Sequence, residues 1–280
     1  MITKEDLNFY REPYRVLVKG DHYIYSLPHP KLRGWISNYT ITFPYKGLLT
    51  DHYTVIPHGC ATLVFSCDKS GISSRLFGPA AKPSVVGQQA NQTNMLFIIE
   101  FQPAGLYAFT GVQQKELTDR IIPFTSINSH LNRLITESIE KARSTYELVI
   151  SVDNLLMSAF KTASPPELDF SVQNIVENTG NISVKELSAS VYYSERHLNR
   201  MFAHYLGMNA KTFSRLVRIN TAIRLLHYPQ NSITNACNLS GFYDRRTLST
   251  ILNPYADLLH RNTAIRCPIF TARSINSDIQ

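Results

Sequence analysis

A chain of 280 residues with 44% hydrophobic side chains and a net charge of +7 is long enough to bury two separate cores. No apolar run approaches the roughly 20 residues of a membrane span, which excludes an integral helical membrane protein. Cys60, Cys67, Cys237 and Cys267 are scattered, with no CxxC pair and no histidine cluster at zinc-ligand spacing, which excludes a zinc finger.

The polar N-terminus, Met1-Ile-Thr-Lys-Glu-Asp-Leu, carries no signal-peptide pattern, so a cytoplasmic protein without metal or cofactor is expected. Residues 20–110 are rich in Tyr, Phe, Thr, Val and Ile, interrupted at short intervals by Pro and Gly. The segments His22-Tyr-Ile-Tyr-Ser-Leu, Ile36 to Phe43, Tyr53-Thr-Val-Ile, Ala61-Thr-Leu-Val-Phe-Ser and Asn94-Met-Leu-Phe-Ile-Ile-Glu-Phe read as strands. Short strands separated by turn residues suggest a sandwich or small barrel. His22, His29, His52 and His58 are spread through this region at spacings that establish no metal site, and no nucleophile–base motif points to an enzyme. A cavity lined by Tyr and Phe would suit an apolar ligand, although core packing explains most of these aromatics.

The periodicity turns helical after Pro103. Leu131, Leu134, Ile135 and Ile139 fall on one face of a helix between Ser126 and Phe160. Ala163-Ser-Pro-Pro-Glu-Leu marks the best boundary, because paired prolines cannot continue a helix. A helix is expected from about Asp169 to Asn178, closed by Gly180 and Asn181. The resulting α+β organisation has a β-rich sensor domain at 1–125 and a helical connector with linker at 126–168. An all-α domain follows at 169–280.

The stretch from Ser183 to Arg246 holds nine basic and three acidic residues, +6 of the chain's +7. Charge concentrated on one helical segment is the footprint of a partner for a polyanion. Ser183-Val-Lys-Glu is a capping box opening a short helix with Leu187 among its apolar residues. After Tyr192-Tyr193, Ser194 caps a second helix that Gly207 stops, with Leu198, Met201, Phe202 and Tyr205 facing inward. Arg196, Asn199 and Arg200 share another face, with His204 beside it. A short helix, a tight turn and a second helix with a basic and amide face describe a helix-turn-helix. Arginine can grip guanine O6 and N7 together, and asparagine can do the same for adenine, so these three are the base-reading candidates. An isolated basic face is usually only solvated; the caps, the turn and the charge surplus together favour DNA.

A longer helix follows from Asn209 to Leu226. Its Lys211, Thr212, Arg215 and Arg218 suit phosphates or intramolecular pairing better than bases, as do Ser194 and His204 on the preceding helix. Ser232 to Asp244 repeats the opening pattern of cap, short helix and Gly241 turn.

Ser194-x-Arg-x-Leu-x-Arg-x-Phe, Gly207, Lys211-Thr-Phe, Arg218, Leu225-Leu226, Ala236 and Gly241-Phe-Tyr-Asp resemble the DNA-binding domain of AraC/XylS-type transcription regulators. Leu32-Arg-Gly-Trp-Ile-Ser-Asn-Tyr, Ile56-Pro-His-Gly-Cys-Ala-Thr-Leu-Val-Phe, Phe101-Gln-Pro-Ala-Gly-Leu-Tyr-Ala-Phe and Glu116-Leu-Thr-Asp resemble the β-rich module that precedes such domains. The resemblance implies a regulator that binds double-stranded DNA, with a small-molecule effector or a homodimer contact in the first domain. It breaks after Asp244, where Arg245-Arg-Thr-Leu-Ser-Thr-Ile-Leu-Asn-Pro replaces the expected second recognition helix, and Pro254 limits any helix to about two turns. Arg245 to Ala264, back-translated and read one base out of phase, can yield a peptide with the Gly-Leu-Thr-Pro of the resembled family. That match implies a frameshift near codons 244–245. The second unit is then expected to be incomplete, the tail poorly ordered and specific DNA binding weakened or lost.

Overall fold

The structure is a computed structural model that describes residues 2–7, 12–45, 54–85, 91–226, 228 and 230–253. Its first half is organised by a seven-stranded antiparallel sheet in the order β1-β2-β3-β8-β5-β6-β9. The strands are β1 (Val16–Lys19), β2 (Tyr23–Ser26), β3 (Ile36–Thr42), β5 (Thr62–Asp68), β6 (Gly71–Phe77), β8 (Met95–Phe101) and β9 (Ile121–Pro123). A separate ribbon pairs β4 (Thr54–Val55) with β7 (Ser84–Val85). The predicted strands at 22–27, 36–43, 61–66 and 94–101 are present. The one at 53–56 survives as the short β4, and Tyr53 lies outside the described residues.

Period-two alternation drives Leu63, Phe65 and Cys67 of β5 and Met95, Phe97, Ile99 and Phe101 of β8 to one face. Helices α2 (Thr125–Lys141) and α3 (Thr145–Ala159) cover that face, burying Leu131, Ile135, Ile139, Leu148, Val149, Val152 and Leu156 in the same cluster. The expected helical connector is therefore part of the first core, because its apolar stripe closes the sheet. Asp153 on α3 pins this layer. Its Oδ1 accepts from the Tyr39 hydroxyl at 2.8 Å and from the His29 amide at 3.0 Å, while Oδ2 pairs with Arg15 Nη2 at 2.5 Å.

The other sheet face is only partly covered, leaving Thr62, Val64, Leu96, Ile98 and Glu100 half-buried. Burial pushes the Glu100 carboxyl up to about 8 and the His58 imidazole down to about 4. His22 stacks on Tyr45, and His29 caps a short turn by accepting from the Lys31 amide. His52 lies outside the described residues. Among the described residues, no three His, Cys, Asp or Glu side chains group closely enough to hold a metal ion. Cys60, Cys67 and Cys237 are buried and in no disulfide.

After α1 (Gly105–Thr110) and the α2–α3 pair, the second half contains α4 (Pro166–Glu177), α5 (Val184–Ser190), α6 (Glu195–Leu206), α7 (Ala210–Leu226), α8 (Ile233–Leu239) and α9 (Arg245–Leu252). Helix α4 starts three residues before the expected Asp169, since Pro166 occupies its first position, where a missing amide costs nothing. One core gathers Leu168, Ile175, Leu187, Leu198, Phe202 and Phe213 from α4 to α7. A second gathers Ile219, Ala222, Ile223, Ala236, Leu248 and Leu252 from α7 to α9. The long α7 serves both.

Helix α9, eight residues long, keeps within the two turns expected after Asp244 and follows α8 as the second helix of this unit. Asp244 accepts from the Thr247 amide at 2.7 Å, and Leu248 and Leu252, one turn apart, close onto α7 and α8. A cap and two leucines suffice for a two-turn helix once tertiary packing supports it. The expected disorder of the tail falls on residues 254–280, outside the described residues.

Candidate nucleic-acid interface

Each unit pairs a short helix with a capped longer one. In the first, Ser183 and Glu186 close the capping box on α5, with the Ser183 hydroxyl oxygen accepting from the Glu186 amide at 3.1 Å. Ser194 opens α6 by accepting from the His197 amide at 3.2 Å. Its hydroxyl is thereby committed to positioning the helix. Gly207 closes α6 in the left-handed region at φ 79°.

Leu198, Met201, Phe202 and Leu206 hold the inner face of α6 in the core. Arg196 and Arg200 stand exposed on its outer face, one turn apart. Arg200 Nη2 lies 3.2 Å from His197 Nδ1, and the His197 ring packs on Tyr193 with centroids 4.4 Å apart. Arg200 is thus steadied by a ring neighbour, while Arg196 is free to extend. No acidic partner neutralises either one in a salt bridge among the described residues.

Asn199 lies on the same outer side but is partly committed. Its Oδ1 accepts from the Ala210 amide at 3.1 Å, so the side chain bridges α6 to the start of α7. That contact crosses 11 residues of sequence, which is why helical spacing alone placed Asn199 with the base readers. Lys211 and Arg215 are exposed along the first turns of α7, suited by position to phosphates. Thr212 has its amide held by Asn209 Oδ1 at 2.8 Å. Arg218 is elsewhere in character: its guanidinium sits 5.7 Å from the centroid of the Phe242 ring and its Nε is buried. Burial, then repulsion from Arg215, lowers its pKa. Arg218 acts as a strut between the two units rather than as a surface cation.

His204 turns away from Arg196 and Arg200. Its ring packs at 5.2 Å on Tyr107 of α1 and 4.6 Å on Tyr205, at the contact with the first half. Burial there lowers its pKa, with the nearby Lys115 acting in the same direction. Thr118 Oγ1 donates to the Gly207 carbonyl at 2.8 Å, and Asn220 Nδ2 of α7 donates to the Pro57 carbonyl at 3.0 Å. The first half therefore grips the back of α6 and the middle of α7 and leaves Arg196 and Arg200 open.

Gly207 sits where this grip is tightest. A Cβ there would stand 2.5 Å from Thr118 Oγ1 and 2.9 Å from the Gln114 carbonyl oxygen. Gly207→Ala is expected to cost about 1–2 kcal/mol from the left-handed backbone alone, with the steric clash adding to it. Urea denaturation monitored by circular dichroism checks it; an unchanged midpoint would count against the contact.

Sequence reasoning left two features of this surface unplaced. Arg245 and Arg246 are exposed at the start of α9, and Arg246, two residues after its N-cap, takes the position that Arg196 takes on α6. Tyr192 and Tyr243 are almost wholly exposed in the turns that precede the two helices, and Tyr192 adopts a positive φ of 58°. The aromatic doublet in the sequence marked the first turn but carried no sign of which ring would face outward.

A family model described as a helix-turn-helix domain matches residues 187–253, the span of α5 to α9. A second, described as a domain of unknown function (DUF6597), matches residues 25–123. No curated protein matches the chain. Among solved structures the chain is similar to ToxT from Vibrio cholerae, at 10% identity and a TM-score of 0.42, covering 77% of this chain and 94% of that one. A structure of ToxT from Vibrio cholerae O395 gives 10% identity and a TM-score of 0.40, over 82% and 94% of the two chains.

Proposed function

We infer that the chain is a DNA-binding transcription regulator, with an AraC-type helix-turn-helix domain over residues 187–253, that reads double-stranded DNA through α6 and is controlled through its β-rich first half. The observation that carries this is the pair Arg196 and Arg200. Both are exposed, in no salt bridge among the described residues, and presented by a capped helix whose other face is locked into a core. Such a helix fits the major groove, with Arg196 and Arg200 at base edges and Asn199 holding α7 in register. Lys211 and Arg215 supply phosphate contacts that carry affinity without sequence information. The exposed Arg245 and Arg246 of α9 extend the basic surface toward a second stretch of duplex.

Control would run through the gripped surfaces of α6 and α7, where an effector or a second copy acting on the first half can shift the reading helix. The rival reading is a ligand-binding or dimerising protein that has lost specific DNA binding. The capped α9, seated by Leu248 and Leu252, supports the first reading over it. A gel-shift against the region upstream of the coding sequence separates the two. Specific binding is expected to survive excess competitor DNA and to weaken steeply as salt rises from 50 to 200 mM. Complete loss to competitor at low salt would sink the reading.

A further inference from the structure

Three acceptor groups of the first half converge around one end of β8. Glu100 lies opposite Asn38 of β3 and opposite Thr62 of β5 in the strand register. His58 Nε2 is 3.4 Å from Thr62 Oγ1, which brings the imidazole to the same corner, and its Nδ1 is buried without a hydrogen-bond partner. Gln102 continues the alternation of Glu100 beyond the strand end, and its Oε1 is likewise buried and unpartnered. Asn38 has already spent its carboxamide on the Ser37 and Thr40 hydroxyls. Beside the polar corner, Ile98 pairs with Val64 and with Thr40, leaving a half-buried apolar strip along the same face.

We propose that this corner, with Glu100 at its centre and Ile98 and Val64 alongside, is a binding site for a small organic cation, a protonated amine carried on an apolar body. The chemistry is one of complement: a carboxylate, an amide oxygen and an imidazole nitrogen accept hydrogen bonds, and an ammonium group donates three. A buried acceptor without a donor is costly, and a ligand that supplies one recovers that cost. Burial holds the Glu100 carboxyl at about 8, and no Lys or Arg among the described residues forms a salt bridge with it. Among the described residues, the other ionisable groups on this face are Asp68, at the far end of β5 from Thr62, and Tyr23 and Tyr25 of β2 and Arg75 of β6, each two strands from β8.

The site is also placed to act on the helical half. Residues 56–60 run from His58 directly onto α7. Pro57 offers its carbonyl to Asn220, and Ile56 packs in the core with Ile219 and Ile223. Gly59, at φ 75°, lets the loop approach so closely that a Cβ there would stand 3.1 Å from Leu216 and 3.3 Å from Phe213. Movement of His58 toward a ligand would therefore be felt at the helix that both helix-turn-helix units share. This last step rests on the reading that the first half controls DNA binding; the site itself does not.

The test uses the full chain with phenethylamine, tyramine and agmatine as probes, and phenylacetate as a near-isosteric anion. At least one amine is expected to raise the Tm, and phenylacetate is not. The apparent affinity of that amine should rise roughly tenfold between pH 7 and pH 9, because the carboxyl must ionise to hold it while His58 stays neutral throughout. Glu100→Gln keeps the shape of the side chain and removes an acid that burial disfavours, so it should fold and yet lose at least tenfold in affinity. No shift with any amine, or an equal response in Glu100→Gln, overturns the proposal. A gel-shift with the binding amine then tests control separately: unchanged DNA affinity would leave the site standing and sink the regulatory reading.

Discussion

Asp153→Ala is expected to destabilise the first domain by about 3 kcal/mol, the low end of the cost of breaking a buried pair, because Arg15 keeps its second carboxylate, Glu12. Asp153 and Arg15 are each 1% exposed. Arg15 has no route to water, since its Nε donates to the Leu27 carbonyl at 2.9 Å and its Nη1 to Glu12 at 2.9 Å. Removing the carboxylate takes one acceptor from Arg15 Nη2, the Tyr39 hydroxyl and the His29 amide together. Burial and the Asp153 charge already hold the Tyr39 phenol well above its usual range, so the hydroxyl stays a donor and cannot compensate by ionising.

The size of that loss measures the groups deprived of that acceptor and not the net worth of the pair. Arg15→Met combined with Asp153→Leu is therefore expected to recover part of it, because apolar replacements leave no charge buried. Equilibrium urea unfolding of the two single variants and the double variant gives the comparison. A double variant less stable than Asp153→Ala would mean that the network's geometry, rather than its charge, holds α3 on the sheet.

Local signals in the sequence were legible where the interaction they describe is local. The caps at Ser183, Ser194, Ser232 and Asp244 all bond as expected, because an N-cap and its target amide lie three residues apart. The alternation of β5 and β8 was equally plain. Strand β6 was missed because it lies near the sheet edge with its first five residues exposed or half-buried, so its composition carries no apolar rhythm. Leu131, Ile135 and Ile139 revealed an amphipathic helix but not the partner for its stripe, which the pairing order of distant strands decides. The basic face of α6 was legible in the same partial way. Spacing put Arg196, Asn199, Arg200 and His204 together, while Ala210 claimed Asn199 and Tyr107 claimed His204 through contacts that no helical wheel displays.

That partition makes the DNA-binding prediction asymmetric. Arg196→Ala and Arg200→Ala are each expected to weaken binding to a specific site by about 1–3 kcal/mol, roughly 5- to 150-fold, and to relax the sequence preference at one position. Lysine should not rescue Arg196, since an ammonium cannot reproduce the two parallel hydrogen bonds of a guanidinium to guanine. Lys211→Ala and Arg215→Ala should weaken specific and random duplexes alike, each lowering the magnitude of the salt slope by about one. Asn199→Ala should behave differently again. It removes the acceptor for the Ala210 amide, so its loss of affinity is expected to come with a lowered Tm, whereas both arginine variants should keep theirs because they stand exposed outside the core. Binding isotherms on specific and scrambled duplexes at several salt concentrations, set beside thermal melts, separate these classes. Were Arg196→Ala and Arg200→Ala to weaken both duplexes equally, α6 would be lying along the phosphate backbone, and base reading would have to pass to Arg245 and Arg246 on α9.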